Sequence, residues 1–191
     1  MRKILMLLII CTLIISLSSC GMAANILYNT AVEENDNITN ELEKSKGYTI
    51  KSEDRKFSVI IPDSWTEMKD LHDEADLQAS SEKQESYMIA LIESKDDMVY
   101  SFEEWQSIVM ESLLESLENE VVNKPDLVEI KGNPAIQYVI TGTIDNLNIT
   151  YLATYINGPN YYGQLLCWCL KSEYNNKEDE YKQIINSIVG L

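Results

Sequence analysis

The segment GQLLCWCLK, residues 163–171, decides the fold, because it is typical of a buried strand that is apolar on both faces. Side chains along a strand alternate between the two faces of its sheet. The two faces here are formed by Leu165, Cys167 and Cys169 and by Leu166, Trp168 and Leu170. A sheet with such a central strand needs a covering layer on each side. The segment therefore predicts a sheet that lies between two layers.

The two cysteines of this segment also raise the question of a metal or redox site. On a regular strand the Cα atoms of Cys167 and Cys169 lie about 7 Å apart with parallel Cβ vectors, which disfavours a disulfide. Zinc, iron and copper sites draw on clusters of cysteine and histidine. The only histidine, His72, lies in the polar segment KDLHDEAD, which is typical of an exposed loop. We therefore expect two reduced, poorly reactive core thiols, no metal site and no cofactor.

Other segments also have the patterns of strands, and these strands are the predicted neighbours of the strand in residues 163–171. Phe57 to Ile61 predicts a strand that Pro62 ends, because proline donates no hydrogen bond to a sheet. The pairs Gly132-Asn133 and Asp145-Asn146 are typical of tight turns, which need positive φ angles. The remaining strands are DLQASS and SYMIALIES, joined by EKQE, and then LVEIK, AIQYVITGTI, LNITYLATYI and YYGQLLCWCLK.

A helix is predicted between the hairpin and the later strands. Ser101 and Glu104 have the spacing of a capping box, and Pro125 bars the helix from continuing beyond about Val122. Its apolar face is formed by Phe102, Trp105, Val109, Leu113 and Leu117. This broad face predicts that the helix packs on the sheet.

A second helix closes the chain, with Asn175 and Glu178 as its candidate cap. Its apolar positions are Tyr181, Ile184, Ile185, Ile188 and Val189. Strands and helices in this order predict an α+β fold over residues 48–191, in which a central antiparallel sheet has helices on both faces.

The first twenty residues, MRKILMLLIICTLIISLSSC, have the layout of a secretory signal peptide. Arg2 and Lys3 precede an apolar run from Ile4 to Ile15 that is too short for a permanent membrane helix. Leu17-Ser18-Ser19-Cys20 resembles the bacterial lipobox. The resemblance implies a signal peptide over 1–19, cleavage before Cys20 and lipidation of its thiol. The alternative is ordinary secretion with an unmodified cysteine.

The residues after Cys20 are rich in asparagine and glutamate up to Gly47. This composition is typical of a flexible tether, which we place over residues 20–47. Two or three acyl chains on Cys20 give stable anchoring, where a single chain is marginal. We therefore expect the protein on the outer face of the bacterial cytoplasmic membrane, held to it by the lipid on Cys20.

Charge excludes some partners. The chain has 15 lysines and arginines against 31 aspartates and glutamates, a formal net charge of -16. Such a surface repels nucleic acid, so a nucleic-acid partner is not expected. The same charge favours either a solvated surface or a cationic partner.

An acidic stripe is the first candidate binding surface. Between Asp96 and Asn123 there is no lysine or arginine. Glu104, Glu111, Glu115 and Glu118 recur at spacings that place them on one side of the predicted helix. The stripe is either a solvated face or a docking surface for a basic partner or divalent cations.

Tyrosines on the predicted strands are the second candidate, because tyrosine is frequent both at the rim of a core and in binding grooves. They are Tyr138, Tyr151, Tyr155, Tyr161 and Tyr162. The sequence has neither a G-x-S-x-G segment nor a phosphate-binding glycine loop. With a single histidine to serve a nucleophile, we expect no enzymatic activity; a hydrolase that uses carboxylates is the catalytic alternative.

Three segments carry a family resemblance. FSVIIPDSW resembles the opening segment of PsbP-like domains, GNPAIQYVITGT is similar to their middle hairpin, and YYGQLLCWCLKSEYNNKEDEYKQIINSI resembles their last strand and helix. The matched positions, Phe57, Pro62, Trp65, Gly132 and Ala135, have roles in the fold and transfer no functional site. The resemblance covers roughly residues 48–191 and implies an α/β/α sandwich.

That family contains photosystem II extrinsic subunits, a Ran-binding nuclear import factor and many bacterial lipoproteins, and consists mainly of binding and assembly modules. The resemblance therefore implies a cell-surface lipoprotein whose domain binds or assembles a protein partner without catalysis. The alternative is an envelope lipoprotein that binds a small ligand or a divalent cation.

Overall fold

The computed structural model describes residues 47–191, and the expected signal peptide, Cys20 and all but the last residue of the expected tether lie outside this range. The described residues form one unit. Its strands are β1 (Gly47–Lys51), β2 (Ser58–Pro62), β3 (Thr66–Glu67), β4 (Leu77–Ser81), β5 (Ser86–Ser94), β6 (Glu118–Val122), β7 (Asp126–Ile130), β8 (Asn133–Ile144), β9 (Leu147–Asn157) and β10 (Tyr161–Leu170). Its α-helices are α1 (Phe102–Glu115) and α2 (Tyr174–Asn186).

The main sheet has the strand order β3-β4-β5-β10-β9-β8, and both β6 and β7 pair with the outer edge of β8. Every pairing in it is antiparallel. Strand β10 lies at the centre, where Cys167 is opposite Met88 of β5 and Leu152 of β9. The prediction of a central strand in the segment 163–171 is therefore confirmed, with the strand ending at Leu170.

One face of the sheet is covered by α2 together with a separate hairpin of β1 and β2. Cys167 and Cys169 lie in this core together with the helix residues Tyr181 and Ile185. Trp65 is 2% exposed, and its ring meets that of Tyr181 edge to face. Large buried aromatic side chains of this kind contribute strongly to core stability.

The other face is covered by α1, whose Phe102 and Trp105 pack against Tyr155 and Tyr162 of the sheet. The alternation along β10 places Leu166 on this side, away from the cysteines. The predicted α+β fold, an antiparallel sheet with a helix on each face, is confirmed.

Helix α1 begins as predicted but ends earlier. Ser101 and Glu104 form both hydrogen bonds of the capping box, at 3.3 and 2.8 Å. The helix stops at Glu115 rather than near Val122, and the chain continues as β6, which pairs with β8. Pairing satisfies backbone groups at the edge of β8 that a longer helix would leave open.

Two local boundaries also differ from the prediction. Helix α2 begins at Tyr174, with Glu173 as its first flanking residue and no side-chain cap, so Asn175 and Glu178 do not cap it. Tyr174 is buried, and its packing extends the helix to this position. Val189 lies beyond the helix in a bridge to Ser58 and is 56% exposed.

The turns between the late strands follow the expected chemistry. Asp145 and Asn146 adopt φ angles of 49° and 66°, as a two-residue hairpin turn requires. The preceding turn is formed by Lys131 and Gly132, at 52° and 85°, one residue earlier than the predicted Gly132-Asn133 pair. Asn133 is instead the first residue of β8, opposite Ile130.

The thiols of Cys167 and Cys169 are free and buried, and burial raises the pKa of both. Because the thiolate is the reactive form, we expect a thiol reagent to modify native protein far more slowly than urea-unfolded protein. The measurement is the time course of modification at these two residues by mass spectrometry. Equal rates in the two states would contradict the buried placement.

Candidate functional site

An aromatic row crosses three adjacent strands on the face that α1 covers. Trp168 of β10 is opposite Tyr87 of β5 and Tyr151 of β9. The Trp168 ring centroid lies 5.4 Å from that of Tyr87 and 5.5 Å from that of Tyr151. Tyr87 and Trp168 are partly exposed, whereas Tyr151 is buried. The row therefore offers an aromatic surface whose rings are held in place by their neighbours.

A cleft of about 470 Å³ lies above one side of this row. Its floor is formed by the sheet, one wall by α1 and the other wall by the loop that precedes β4. The floor includes Leu166, Trp168 and Tyr151, and the α1 wall includes Ser112 and Ser116. The mixture of aromatic floor and polar walls is typical of a binding site.

The buried side chain of Gln78 holds the loop that precedes β4, which forms one wall of the cleft. The Gln78 side-chain oxygen accepts hydrogen bonds from the backbone N–H groups of Leu71 and His72 at 2.8 and 3.1 Å. Its amide group donates to the His72 carbonyl at 3.0 Å. Leu71 also packs against the core beneath α1. This wall of the cleft is therefore held to the sheet on the side of β4.

A second hollow, of about 220 Å³, adjoins the first at Trp168. It lies at the end of the sheet, where Leu147, Ile149 and Leu170 line it together with Tyr87. Its described lining residues come from strands and turns, and none comes from α1. The two hollows with the shared Trp168 are called the aromatic cleft below.

The rim of the aromatic cleft is acidic. Glu74 and Glu93 line the larger hollow, and Glu85 and Asp145 line the smaller one. Neither hollow has a lysine or arginine among the lining residues that the structure describes. The electrostatic potential there favours positively charged groups.

The acidic stripe predicted on α1 is present with three of its four members. At about 100° per residue, Glu104, Glu111 and Glu115 lie within roughly 40° of one another, on a different side of α1 from the residues that line the larger hollow. All three are exposed. Glu118 lies in β6, beyond the end of the helix, so its predicted place on the helical stripe is wrong.

The stripe residue Glu104 also belongs to the helix cap. It accepts a hydrogen bond from the backbone N–H of Ser101, which lowers the pKa of its carboxyl group. Glu104 is therefore engaged at the start of the helix, and the described lining of the two hollows includes neither Glu104 nor Glu111 nor Glu115.

Of the five tyrosines predicted as groove candidates, Tyr151 lines the aromatic cleft. Tyr155 and Tyr162 are buried beneath α1 against Trp105, and Tyr138 packs on Tyr155. Tyr161 lies on the opposite face against Phe57. The sequence reasoning missed Tyr87 and Trp168 as site residues. The alternation along β10 did place Trp168 on the sheet face away from the two cysteines.

His72 lines the larger hollow from the loop wall. Its Nδ1 accepts a hydrogen bond from the backbone N–H of Glu74 at 3.2 Å, which helps to shape the turn. Within residues 47–191, no group of three or more histidine, cysteine, aspartate or glutamate side chains is placed to hold a metal ion. No helix of this range has both the length and the apolar character needed to cross a bilayer.

A separate concavity of about 870 Å³ lies between the β1–β2 turn and the loop that precedes β4. Asp76 lies on its lining, where its carboxylate accepts a hydrogen bond from the Ile92 backbone N–H at 2.8 Å. Burial raises the pKa of Asp76, with a smaller contribution from the charge of Asp54. The charged form of Asp76 is therefore disfavoured in the folded protein.

The raised pKa of Asp76 predicts a pH-dependent contribution to stability. A folded-state pKa above the unfolded value means that stability is lost as the pH rises from about the ordinary aspartate value through the raised one. Asp76→Asn keeps an oxygen for the Ile92 N–H without the charge. We expect this variant to unfold at a higher temperature than wild type at pH 7, with the difference vanishing in acid.

Thermal unfolding followed by circular dichroism across this pH range tests the Asp76 prediction. Asp73→Asn, which removes an exposed charge from the same loop, is the matched control. A pH-independent difference between Asp76→Asn and wild type would contradict the assigned role of burial.

Comparison with known proteins identifies the fold. No model of a known protein family matches the chain, and no curated protein matches it in sequence. Among solved structures, it is similar to CyanoP, the cyanobacterial PsbP of Synechocystis sp. PCC 6803, with a TM-score of 0.57 and 7% identity over 75% of this chain and 92% of CyanoP.

Two further structures share the architecture. LpqN, a Mycobacterium tuberculosis protein involved in cell envelope biogenesis, matches with a TM-score of 0.52 and 12% identity over 76% of this chain and 86% of LpqN. A protein from Bacteroides thetaiotaomicron VPI-5482 matches with a TM-score of 0.55 and 13% identity over 75% of this chain and 48% of its own. At these identities the likeness establishes a PsbP-like fold and not an activity.

Proposed function

We propose that this protein is a cell-envelope lipoprotein, anchored through Cys20, whose PsbP-like domain binds a protein partner through the aromatic cleft without catalysis. The aromatic cleft is the observation that carries the proposal. Tryptophan and tyrosine are enriched among the residues that dominate binding energy at protein interfaces. Here Trp168 is partly exposed at the centre of a concave surface, between Tyr87, whose ring stacks on it, and Tyr151, whose ring is tilted against it.

The envelope location is supported by two separate observations. Leu17-Ser18-Ser19-Cys20 resembles a lipobox behind a signal-like apolar run. The structural neighbour LpqN is a protein of cell envelope biogenesis. A tether of the length of residues 20–47 would let the domain meet partners beyond the membrane surface.

The non-catalytic assignment is supported by the chemistry of the cleft. The described lining residues of the larger hollow include one histidine, which accepts a backbone hydrogen bond, and acids on the rim. Ser112 and Ser116 lie on the α1 wall, and neither has a hydrogen bond to His72. This arrangement offers recognition chemistry rather than a paired nucleophile and base.

Small-ligand binding is the second candidate function, because about 470 Å³ falls within the usual size range of ligand sites. Native mass spectrometry of the protein purified from its own cells distinguishes small-ligand binding from protein binding. A bound small molecule that Trp168→Ala removes would favour this candidate over protein binding.

Site-specific photocrosslinking in intact cells tests the proposed function. A photoreactive phenylalanine analogue replaces Ser112 on the cleft wall, and in a control protein it replaces Glu129, which is exposed on β7. We expect discrete crosslinked products from position 112 that Trp168→Ala removes, and none of these products from position 129. Equal products from both positions, or none from position 112, would refute binding through the cleft.

A further inference from the structure

We propose that the aromatic cleft recognises a basic segment of the partner protein, in which an apolar side chain is flanked by lysine or arginine. This inference rests on the proposed function and specifies the chemistry of its partner. It is carried by two independent properties of the same surface, which are the aromatic floor and the acidic rim.

The floor suits an apolar anchor. Leu166, Ile89 and Leu113 line the larger hollow and supply apolar contact. Trp168 stands between the two hollows and lines both. Because Tyr87 and Tyr151 flank its ring on the two sides, Trp168 offers its free edge to the hollows as apolar surface. An apolar side chain in either hollow can therefore contact Trp168 while its neighbours in the segment reach the acidic rim.

The rim supplies charge on more than one side of the floor. Glu93 is at the sheet side, and its carboxylate is held by a 2.9 Å hydrogen bond from the Trp105 indole N–H. Glu74 is on the loop wall of the larger hollow, and Glu85 and Asp145 line the smaller hollow. Acids around an apolar floor favour a segment with its positive charges on both sides of the anchor.

The chain itself offers poorer occupants for this cleft. Its residues 20–46 include the apolar triplet Ile26-Leu27-Tyr28, but the acids that follow outnumber the lysines. A second copy brings a net charge of -16 toward an acidic rim. Like charges across an interface are unfavourable, so a basic segment from another protein fits better than either.

The test uses the full-length protein in a neutral detergent and three labelled peptides with blocked ends. The probe is GKKLKKG, and the matched controls are GEELEEG, which reverses the charge, and GKKSKKG, which removes the anchor. Binding is followed by fluorescence anisotropy at low salt and at 0.3 M salt. We expect the probe to bind more tightly than both controls, and its affinity to fall with salt because screening weakens exposed charges.

Two variants locate the binding on the protein. Trp168→Ala removes the centre of the floor, and Glu74→Lys combined with Glu85→Lys reverses the charge at one rim position of each hollow. We expect each to weaken probe binding about tenfold or more. Glu120→Lys combined with Glu129→Lys makes the same change in charge at the exposed β6 and β7 strands and should leave most of the affinity. Circular dichroism checks that each variant is folded.

Each outcome bears on the inference. Equal binding of GEELEEG, or equal losses from the rim pair and the β6–β7 pair, would overturn a basic partner at the cleft. If crosslinks from position 112 depend on Trp168 but the captured segment is acidic or uncharged, this inference fails and the proposed function stands. If position 112 gives no crosslinks, the proposed function fails instead.

Discussion

Replacing Trp105 with alanine will lower the free energy of unfolding by about 3–5 kcal/mol, the usual cost of truncating a large buried aromatic side chain. Trp105 is 3% exposed, and its ring lies 5.0 Å from that of Tyr162 and 6.2 Å from that of Tyr155. It is the main aromatic side chain that attaches α1 to the sheet, together with Phe102. Urea unfolding followed by far-ultraviolet circular dichroism measures the loss.

Two milder variants separate packing from hydrogen bonding at this position. Trp105→Phe keeps an aromatic ring and loses the indole N–H, so we expect a smaller loss of about 1–2 kcal/mol. Glu93→Gln keeps an acceptor for the indole and should change stability less than either. A Trp105→Ala variant as stable as wild type would mean that α1 is not held by this contact.

The same variant connects stability with the cleft. Since Ser112 and Ser116 of α1 form one wall, a helix that packs loosely widens the larger hollow. We therefore expect Trp105→Ala to reduce the crosslinks from position 112 even at temperatures where the sheet remains folded. A change of this kind would come from the position of the wall, because the described lining of the cleft does not include Trp105.

The main elements of the fold can be predicted from local sequence patterns. Alternation along β10 identified a strand buried on both faces, and the spacing of Ser101 and Glu104 identified the start of α1. The short strands cannot be predicted in this way. Strands β1, β3 and β6 have between two and five residues, and their strand character depends on partners distant in sequence. The end of α1 was misplaced for the same reason.

The candidate site can be predicted from the sequence only in part. Charge spacing identified the exposed acids of α1, because a helix makes neighbours of residues three and four apart. The aromatic row depends instead on register between strands, which sets Trp168 beside Tyr87, 81 residues earlier in the chain. Sequence periodicity within one strand carries no information on that register, so Tyr87 was not recognised.

Replacing Cys20 with alanine will move the protein from the membrane fraction to the medium or the soluble envelope fraction, if the proposed lipidation is correct. Each buried methylene of an acyl chain contributes about 0.8 kcal/mol to membrane binding, so two chains hold a protein durably. The acidic surface adds no attraction to anionic lipid, because its charge has the same sign. The acyl chains on Cys20 are therefore the proposed source of most of the anchoring free energy.

Metabolic labelling with a radioactive fatty acid, followed by cell fractionation, measures this effect. Cys11→Ala is the matched control, since Cys11 lies within the proposed signal peptide and should be absent from the mature protein. We expect Cys11→Ala to keep both label and membrane location and Cys20→Ala to lose both. Label that persists in Cys20→Ala would mean that the lipid is attached to another residue. Cys167 and Cys169 are poor candidates for that attachment, because their thiols are buried in the folded domain. Such a result would leave the binding cleft intact and remove the anchor from the proposal.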